Sequence, residues 1–526
     1  MKKIESSEAL EKGKQGAVRI VFGRTFVIFA LLIIQVVLML WGLIRLTEIW
    51  YAFTLVMTVL ALILVIHIIN KPENNPAYKI AWIVVILALP IFGASLYLFV
   101  ESQFTTKWLN GRILKLHKEM REYVKQEPEV AGELAQENEQ MGNLAHYMAE
   151  DGGYPVYRNS GAKYFPTGEA KFEELKKQLM EAKSFIFIEY FIVNKGYMWD
   201  SVLEILKAKA QEGVEVRFMY DGTNMVSRLP YRYPQELESY GIKCRVFASI
   251  KPAVSTVQNN RDHRKIVVID GQTAFTGGIN LADEYINKKE RFGYWKDTGI
   301  MVKGEAVRSF TMMFLEMWNA ERLNSTDDYA RYLNVPVERT PEEGDGFVLP
   351  YGDSPLDNEN VGEAMYMDIL NTAKHYVHIM TPYLILDNEM ITALKYAAKR
   401  GVDVKIIMPH IPDKKYAFVL AKTYYNELLD SGVQIYEFEP GFVHAKSFVS
   451  DDEKAVVGTI NLDYRSLYLH FECAVMLYQN AAIPSVEEDF QETLKQCITV
   501  TKEDYKKQKW YEKMGGKVLR LIAPLM

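Results

Sequence analysis

HRKIVVIDGQTAFTGGIN occupies residues 263–280, and HAKSFVSDDEKAVVGTIN occupies residues 444–461. Both read His-x-Lys-x4-Asp-x6-Gly-x-x-Asn. The first copy places His263, Lys265, Asp270, Gly277 and Asn280; the second places His444, Lys446, Asp451, Gly458 and Asn461. Five fixed positions thus recur at one internal spacing, 181 residues apart. A repeat of that length means two copies of one domain, since solenoid repeats run at about 20–50 residues.

The flanking sequence repeats as well. AKSFIFIEYFIV from Ala182 answers AKHYVHIMTPYLIL from Ala373, and KAQEGVEVRFMYD from Lys209 answers KRGVDVKIIMP from Lys399. Near-continuous apolar runs separated by amphipathic helical stretches predict an α/β sheet covered on both faces. Pro336, Pro341, Gly344 and several acids cluster at 335–345 and mark a boundary. The expected organisation is an apolar N-terminal region at 1–104, a first repeat at 105–340 and a second at 341–526.

The chain has 526 residues, 49% of them hydrophobic, and a net charge of −6. It carries no global basic field of the kind that nucleic-acid binding draws on. Three scattered cysteines, Cys244, Cys473 and Cys497, supply neither a disulfide framework nor a zinc site. Much of the apolar excess lies in the first hundred residues. Three uncharged stretches there, 26–44, 50–69 and 80–100, are each long enough for a helix to cross a ~30 Å hydrocarbon core. The expectation is a multi-pass cell-membrane protein. Orientation is contradictory, because Lys2, Lys3, Lys12, Lys14, Arg19 and Arg24 precede the first stretch while Lys107, Arg112, Lys115, Lys118 and Arg121 follow the third. Basic residues mark the cytoplasmic side, and three full crossings cannot satisfy both clusters.

Histidine and lysine at i and i+2 share one face of a strand. Two such halves would bring two imidazoles, two ammonium groups and the amides of Asn280 and Asn461 around one phosphate. That set meets the needs of phosphodiester chemistry: charge on the equatorial oxygens, a nucleophile, and a proton donor for the leaving alkoxide. It calls for no metal and no cofactor, and no His/Cys/carboxylate group in the sequence has metal-ligand spacing. The candidate catalytic set is His263, Lys265, Asp270, His444, Lys446 and Asp451. Within it, Asp270 and Asp451 lie past the strand and fit a turn cap or salt bridge better than proton transfer. Asp297 and Glu472 follow the two histidines by 34 and 28 residues and are the candidates for orienting them. Glu189–Tyr190 and Pro382–Tyr383 end matched strands, where a core or rim position is expected. Arg261 and Arg264 flank His263 and are expected to keep it neutral by disfavouring a further positive charge.

The stretch from Asn260 to Tyr285, FGYWKDTGIMVKG from Phe292, the second signature through Ser466 and the C-terminal RLIAPLM resemble the bacterial cardiolipin synthases of the phospholipase D superfamily. The resemblance runs from about Asn70 to Met526. It implies two phospholipase D-like α/β/α sandwich domains related by pseudo-two-fold symmetry, with the site on the seam. It also implies transfer of a phosphatidyl group between two phosphatidylglycerol molecules, giving cardiolipin and glycerol, with His263 as nucleophile and His444 as acid–base partner. The partners implied are membrane lipids and no nucleic acid. A hydrolytic phospholipase D would share the site and use water as acceptor. A superfamily nuclease and a non-catalytic membrane scaffold fit less well, given the acidic chain and the two intact signatures. The sequence departs from the family at Gly278, where serine is common, at the matching Thr459, and at His470, where asparagine is common.

Overall fold

Runs such as Phe185–Tyr190 and Thr273–Gly277 are buried along their whole length, as strands covered on both faces must be. The first repeat forms a seven-stranded sheet in the order Ser160–Phe165, Gly299–Gly304, Thr273–Gly277, Lys265–Ile269, Phe185–Tyr190, Glu215–Asp221, Lys243–Phe247. The last three are mutually parallel and joined by helices; the others are antiparallel. The second repeat builds the same order from Phe347–Asp353, His470–Tyr478, Lys454–Gly458, Ser447–Ser450, Tyr376–Met380, Asp403–Pro409 and Gln434–Phe438, with Cys497–Thr499 added at the edge. The duplicated sequence is therefore a duplicated mixed sheet. This is a computed structural model, and it describes residues 33–34, 37, 47–71, 75–101, 104–248, 260–320, 327–337, 346–357 and 359–525. The expected boundary at 335–345 falls largely outside the described residues.

By its contacts the chain divides into two units, Met1–Trp108 with Ile250–Gln258 and Pro524–Met526, and Leu109–Ser249 with Asn259–Ala523. Both repeats lie in the second unit. The helix Val307–Ala320 is buried along nearly its whole length. It packs on the first sheet through Phe314, stacked at 4.7 Å on Phe187, and also against Phe347–Asp353 of the second sheet. A helix buried on nearly every side is a core element, and this one serves the cores of both halves.

Asp270 and Asp451 follow their signature strands in the left-handed region, with φ of 54° and 57°, a conformation that aspartate tolerates better than most residues. Each carboxylate accepts three backbone N–H bonds at the start of the neighbouring strand. Asp270 takes those of Lys183, Ser184 and Phe185 at 2.7–2.8 Å. Asp451 takes those of Lys374, His375 and Tyr376 at 2.7–2.9 Å. These carboxylates pin the loop before each central strand at the end away from the histidines. Both carboxylates are thus engaged with backbone N–H groups and cap the start of the neighbouring strand.

In the N-terminal unit, Thr47–Asn70 is one continuous helix, and Tyr51, Leu55 and Ile66 point outward. It contains the expected stretch 50–69 and is long and apolar enough to cross a membrane. The stretch 26–44 lies almost wholly outside the described residues. The stretch 80–100 is not the single span expected. It forms two helices, Pro76–Ala88 and Pro90–Glu101, of 13 and 12 residues. Those are about 20 and 18 Å long, short of the ~30 Å core. Proline disfavours helical geometry in the residue before it, and Leu89 departs to φ −137°, ψ 73°. The chain then folds back. Trp82 and Tyr97 meet edge to face with centroids 5.3 Å apart, whereas 15 residues of straight helix would separate them by about 22 Å. Gly93 permits the closure, because a Cβ there would lie 2.6 Å from the Val85 carbonyl oxygen. Lys71 pairs with Glu101 across the base. Cysteines placed at 71 and 101 should therefore react with an impermeant thiol reagent from the same side of sealed vesicles. Labelling from opposite sides would mean that 76–101 crosses the membrane and is not a hairpin.

Candidate active site

Each histidine is delivered by a short ladder between the two repeats. Tyr294–Lys296 of the first repeat pairs in parallel with Gly441–Val443 of the second, and the backbone N–H of His444 donates to the Lys296 carbonyl at 2.7 Å. Arg261–Asp262 pairs in parallel with His470–Phe471, and the N–H of His263 donates to the Phe471 carbonyl at 2.9 Å. The residue after each accepting carbonyl is the expected orienting acid. Nδ1 of His444 lies 2.7 Å from Asp297 Oδ2, and Nδ1 of His263 lies 2.8 and 2.9 Å from the two oxygens of Glu472. The acids are exchanged, so that each repeat orients the histidine of the other. Because both carboxylates take an Nδ1–H, Nε2 is the free nitrogen on each ring.

The signature lysines are buried beside them. Lys265 donates to the His263 carbonyl at 2.6 Å, and Lys446 donates to the His444 carbonyl. Burial pulls Lys265 down to about 8 and Lys446 to about 7, with the nearby carboxylates opposing. Burial, then Lys446, holds His444 at about 4 against the pull of Asp297. Burial, then Lys265, Lys446 and His444, holds His263 well below the ordinary imidazole range. His263 is thus held neutral, as expected, but by different groups. Arg264 is drawn off to Glu189 at 2.7 Å and Asp262 at 3.4 Å, and Arg261 lies 3.7 Å from Asp221. Glu189 and Tyr190 are core residues, and the Tyr383 hydroxyl donates to Asp413 at 2.6 Å.

The two halves differ in detail. Asn280 is buried, with its carbonyl accepting from the Ile192 N–H at 2.9 Å and its amide donating to the Tyr285 hydroxyl at 2.9 Å. It braces the loop between Ile192 and Tyr285. The Asn461 carbonyl oxygen is buried without a hydrogen-bond partner. Thr459 donates its hydroxyl to Glu472. At the matching Gly278 a Cβ would lie 2.1 Å from Asp297 Oδ1, so a serine there would push the acid off its place.

Two further residues enter the site. His470 stacks near His263 with ring centroids 5.5 Å apart, and its Nε2 accepts from Arg465 at 3.2 Å. Lys171 is fully buried with no hydrogen-bond partner for its ammonium group; burial brings it to about 7, with Asp297 opposing and Lys265 assisting. The signal for Lys171 was a lone charge on the helical stripe it shares with Leu175 and Gln178. Folding also creates what linear spacing lacked, since ligand atoms of His263, His470 and Glu472 lie within 4.8 Å of one another. Two of those three already hold other partners, Glu472 with His263 and Thr459, and His470 with Arg465.

Two outcomes follow from this geometry. Asp270→Ala should lower stability by about 3 kcal/mol, since bonds to a charged acceptor contribute about 1.5–3 kcal/mol each and the exposed N–H groups of Lys183 and Ser184 regain water, while leaving kcat per folded molecule nearly unchanged in denaturant and turnover measurements. A drop in kcat without loss of stability would return Asp270 to the chemistry. The lysines give a pH test. Between about 7 and 10.5 they are more protonated in the unfolded chain than in the folded one, so their contribution to stability rises with pH. The charge they offer an anion falls over the same interval. kcat/KM should therefore decline above pH 7–8 with no loss of folded protein, and Lys446→Arg, which does not deprotonate, should move the decline towards the Lys265 value.

The comparisons with known proteins agree with this architecture. The family description "Cardiolipin synthase, PLD-like domain" matches residues 175–318 and 366–494, and "Phospholipase_D-nuclease N-terminal" matches 59–101. The cardiolipin synthase of Geobacillus kaustophilus is 34% identical over 477 residues, 89% of this chain and 92% of that protein. Cardiolipin synthase 2 of Bacillus cereus is 30% identical over 87% of this chain and 89% of its own. Among solved structures, phosphatidylserine synthase of Haemophilus influenzae aligns with a TM-score of 0.51 at 13% identity, over 69% of this chain and 93% of that one. That likeness speaks to the fold.

Proposed function

The chain belongs to the phospholipase D-like cardiolipin synthase family, and from that premise we propose that it is a phosphatidyltransferase joining two phosphatidylglycerol molecules into cardiolipin and glycerol. The observation that carries the reading is the pair of exchanged imidazole–carboxylate contacts, with a lysine beside each. His263 holds its proton on Nδ1 against Glu472, so the Nε2 lone pair attacks phosphorus. The N–P bond forms as the bond to the glycerol head-group oxygen breaks, and His444 Nε2 gives that oxygen its proton. His444 then takes the proton of the incoming hydroxyl of the second phosphatidylglycerol, whose oxygen attacks phosphorus and frees His263. Lys265 and Lys446 stabilise charge on the phosphoryl oxygens. In the empty site His444 is held neutral; the bound anionic phosphodiester supplies the negative charge that lets it carry a proton.

A substrate with two acyl chains stays in the bilayer, which accords with the spanning helix Thr47–Asn70. If 26–44 is a second crossing and 76–101 a hairpin, both basic clusters fall on the cytoplasmic side, and the charge contradiction disappears.

The test is a product assay on phosphatidylglycerol in mixed micelles, with and without EDTA. Cardiolipin and glycerol in equal amounts, unaffected by chelation, are expected. Phosphatidic acid would make the enzyme a hydrolase, and activity lost to EDTA and restored by a divalent ion would place a metal among His263, His470 and Glu472. His263→Ala and His444→Ala should each lower turnover by roughly 10^3-fold or more, because a nucleophile and its acid–base partner act as a unit.

A further inference from the structure

The helix Trp510–Ile522 reads WYEKMGGKVLRLI. At 100° per residue, Trp510, Met514, Val518 and Leu521 fall on one stripe with Tyr511 at its edge. All are open to solvent, from 41% for Leu521 to 76% for Trp510. The opposite side is the docked one. Gly516 is buried there against the helix Lys415–Asp430, where a Cβ would lie 2.6 Å from Thr423 Cγ2 and 3.1 Å from the Val419 carbonyl oxygen. Arg520 adds a stack on Tyr424 at 4.2 Å and an ion pair with Glu427 at 3.3 Å. The helix is therefore held firmly by its small and polar side, and its most apolar side faces outward.

Two observations say what covers that stripe. Between it and the docked side run Lys513 and Lys517, and residues 500–526 hold seven Lys/Arg against three Asp/Glu, in a chain that is acidic overall. A basic flank beside a Trp, Tyr, Met and Val stripe is the make-up of a helix lying in the interface of an anionic bilayer. Three residues past the helix, Leu525 packs on the apolar cluster of Ala61, Ile68, Trp82, Ile86 and Tyr97, which joins the spanning helix to the hairpin.

We propose that Trp510–Ile522 is a second membrane contact, an interfacial helix that seats its Trp510–Met514–Val518–Leu521 stripe in a bilayer rich in anionic lipid. It holds the second repeat at the surface from which a lipid acceptor must come. The proposal does not depend on whether the acceptor is a lipid alcohol or water.

The test uses the full-length protein in vesicles of phosphatidylglycerol and phosphatidylcholine. Spin labels go on Met514→Cys, Val518→Cys and, as an exposed reference, Glu204→Cys, in a Cys497→Ser background, since Cys244 and Cys473 are buried. Labels at 514 and 518 should be several-fold less accessible to a water-soluble nickel chelate and more accessible to oxygen than the label at 204. Accessibility equal to the reference would overturn the proposal. Dipolar broadening between labels at 514 would also overturn it, by putting a second copy of the chain on the stripe. Equal shielding in pure phosphatidylcholine would overturn the assignment to anionic lipid.

Discussion

The exchange of acids between the two repeats is the constraint on which the rest of the site depends. His263 is aligned by Glu472 and His444 by Asp297, and in both cases the residue before the acid accepts the histidine's own backbone N–H. Main chain and side chain are thus fixed by the same two-residue segment of the other repeat. Neither repeat alone orients its own signature histidine. Separating the repeats would leave two imidazoles without their carboxylates and two carboxylates with only their local hydrogen bonds, and removing one partner of a buried charged pair is costly. The pairing that organises the chemistry therefore also locks the halves together, alongside the shared helix Val307–Ala320.

Burial of cations is the second consequence. Lys171, Lys265 and Lys446 lie at 1% exposure or less, close enough to depress one another. A protein selected for stability alone would not gather three ammonium groups there. An anion between Lys265 and Lys446 relieves their mutual repulsion, so the site is least comfortable when empty and gains most from a phosphodiester. Burial, the largest cause of the lowered lysine values, is the physical reason the expected alkaline loss of function and alkaline gain of stability run in opposite directions.

Much of this was legible in the sequence, and the gaps have a common cause. The duplicated signature gave the duplicated sheet, because strand burial and the turn after Asp270 and Asp451 are local properties. The acids at 297 and 472 could be found as matched carboxylates, but spacing measured along one repeat says nothing of which histidine each serves. The role of Arg264 was misread for the same reason. Its neighbour in sequence is His263, while its partner in space is Glu189, on the adjacent strand. The third apolar stretch passed every test of length and composition for a span. Pro90 and Gly93 were visible inside it, yet only the contact of Trp82 with Tyr97 shows that they fold it back. Local chemistry was readable; pairing over long range was not.

The pseudo-symmetry is broken where the two imidazoles must do different work. Glu472 meets His263 with both oxygens and is itself held by the Thr459 hydroxyl. Asp297 meets His444 through one oxygen, while its other accepts from the Thr298 N–H, and on that side Gly278 offers no hydroxyl. An Nδ1–H shared between both oxygens of a carboxylate that is itself anchored keeps the opposite Nε2 aimed, which suits an in-line attacker. A ring held by one bond, with Lys446 3.0 Å from the same nitrogen, has its proton affinity set by charges that change as the phosphate arrives and leaves. That suits a group that must give a proton and then take one back. Gly278 thus falls on the side of His444, and the Thr459 hydroxyl on the side of His263. The asymmetry accords with the proposed division of labour, in which His263 attacks and His444 carries the proton.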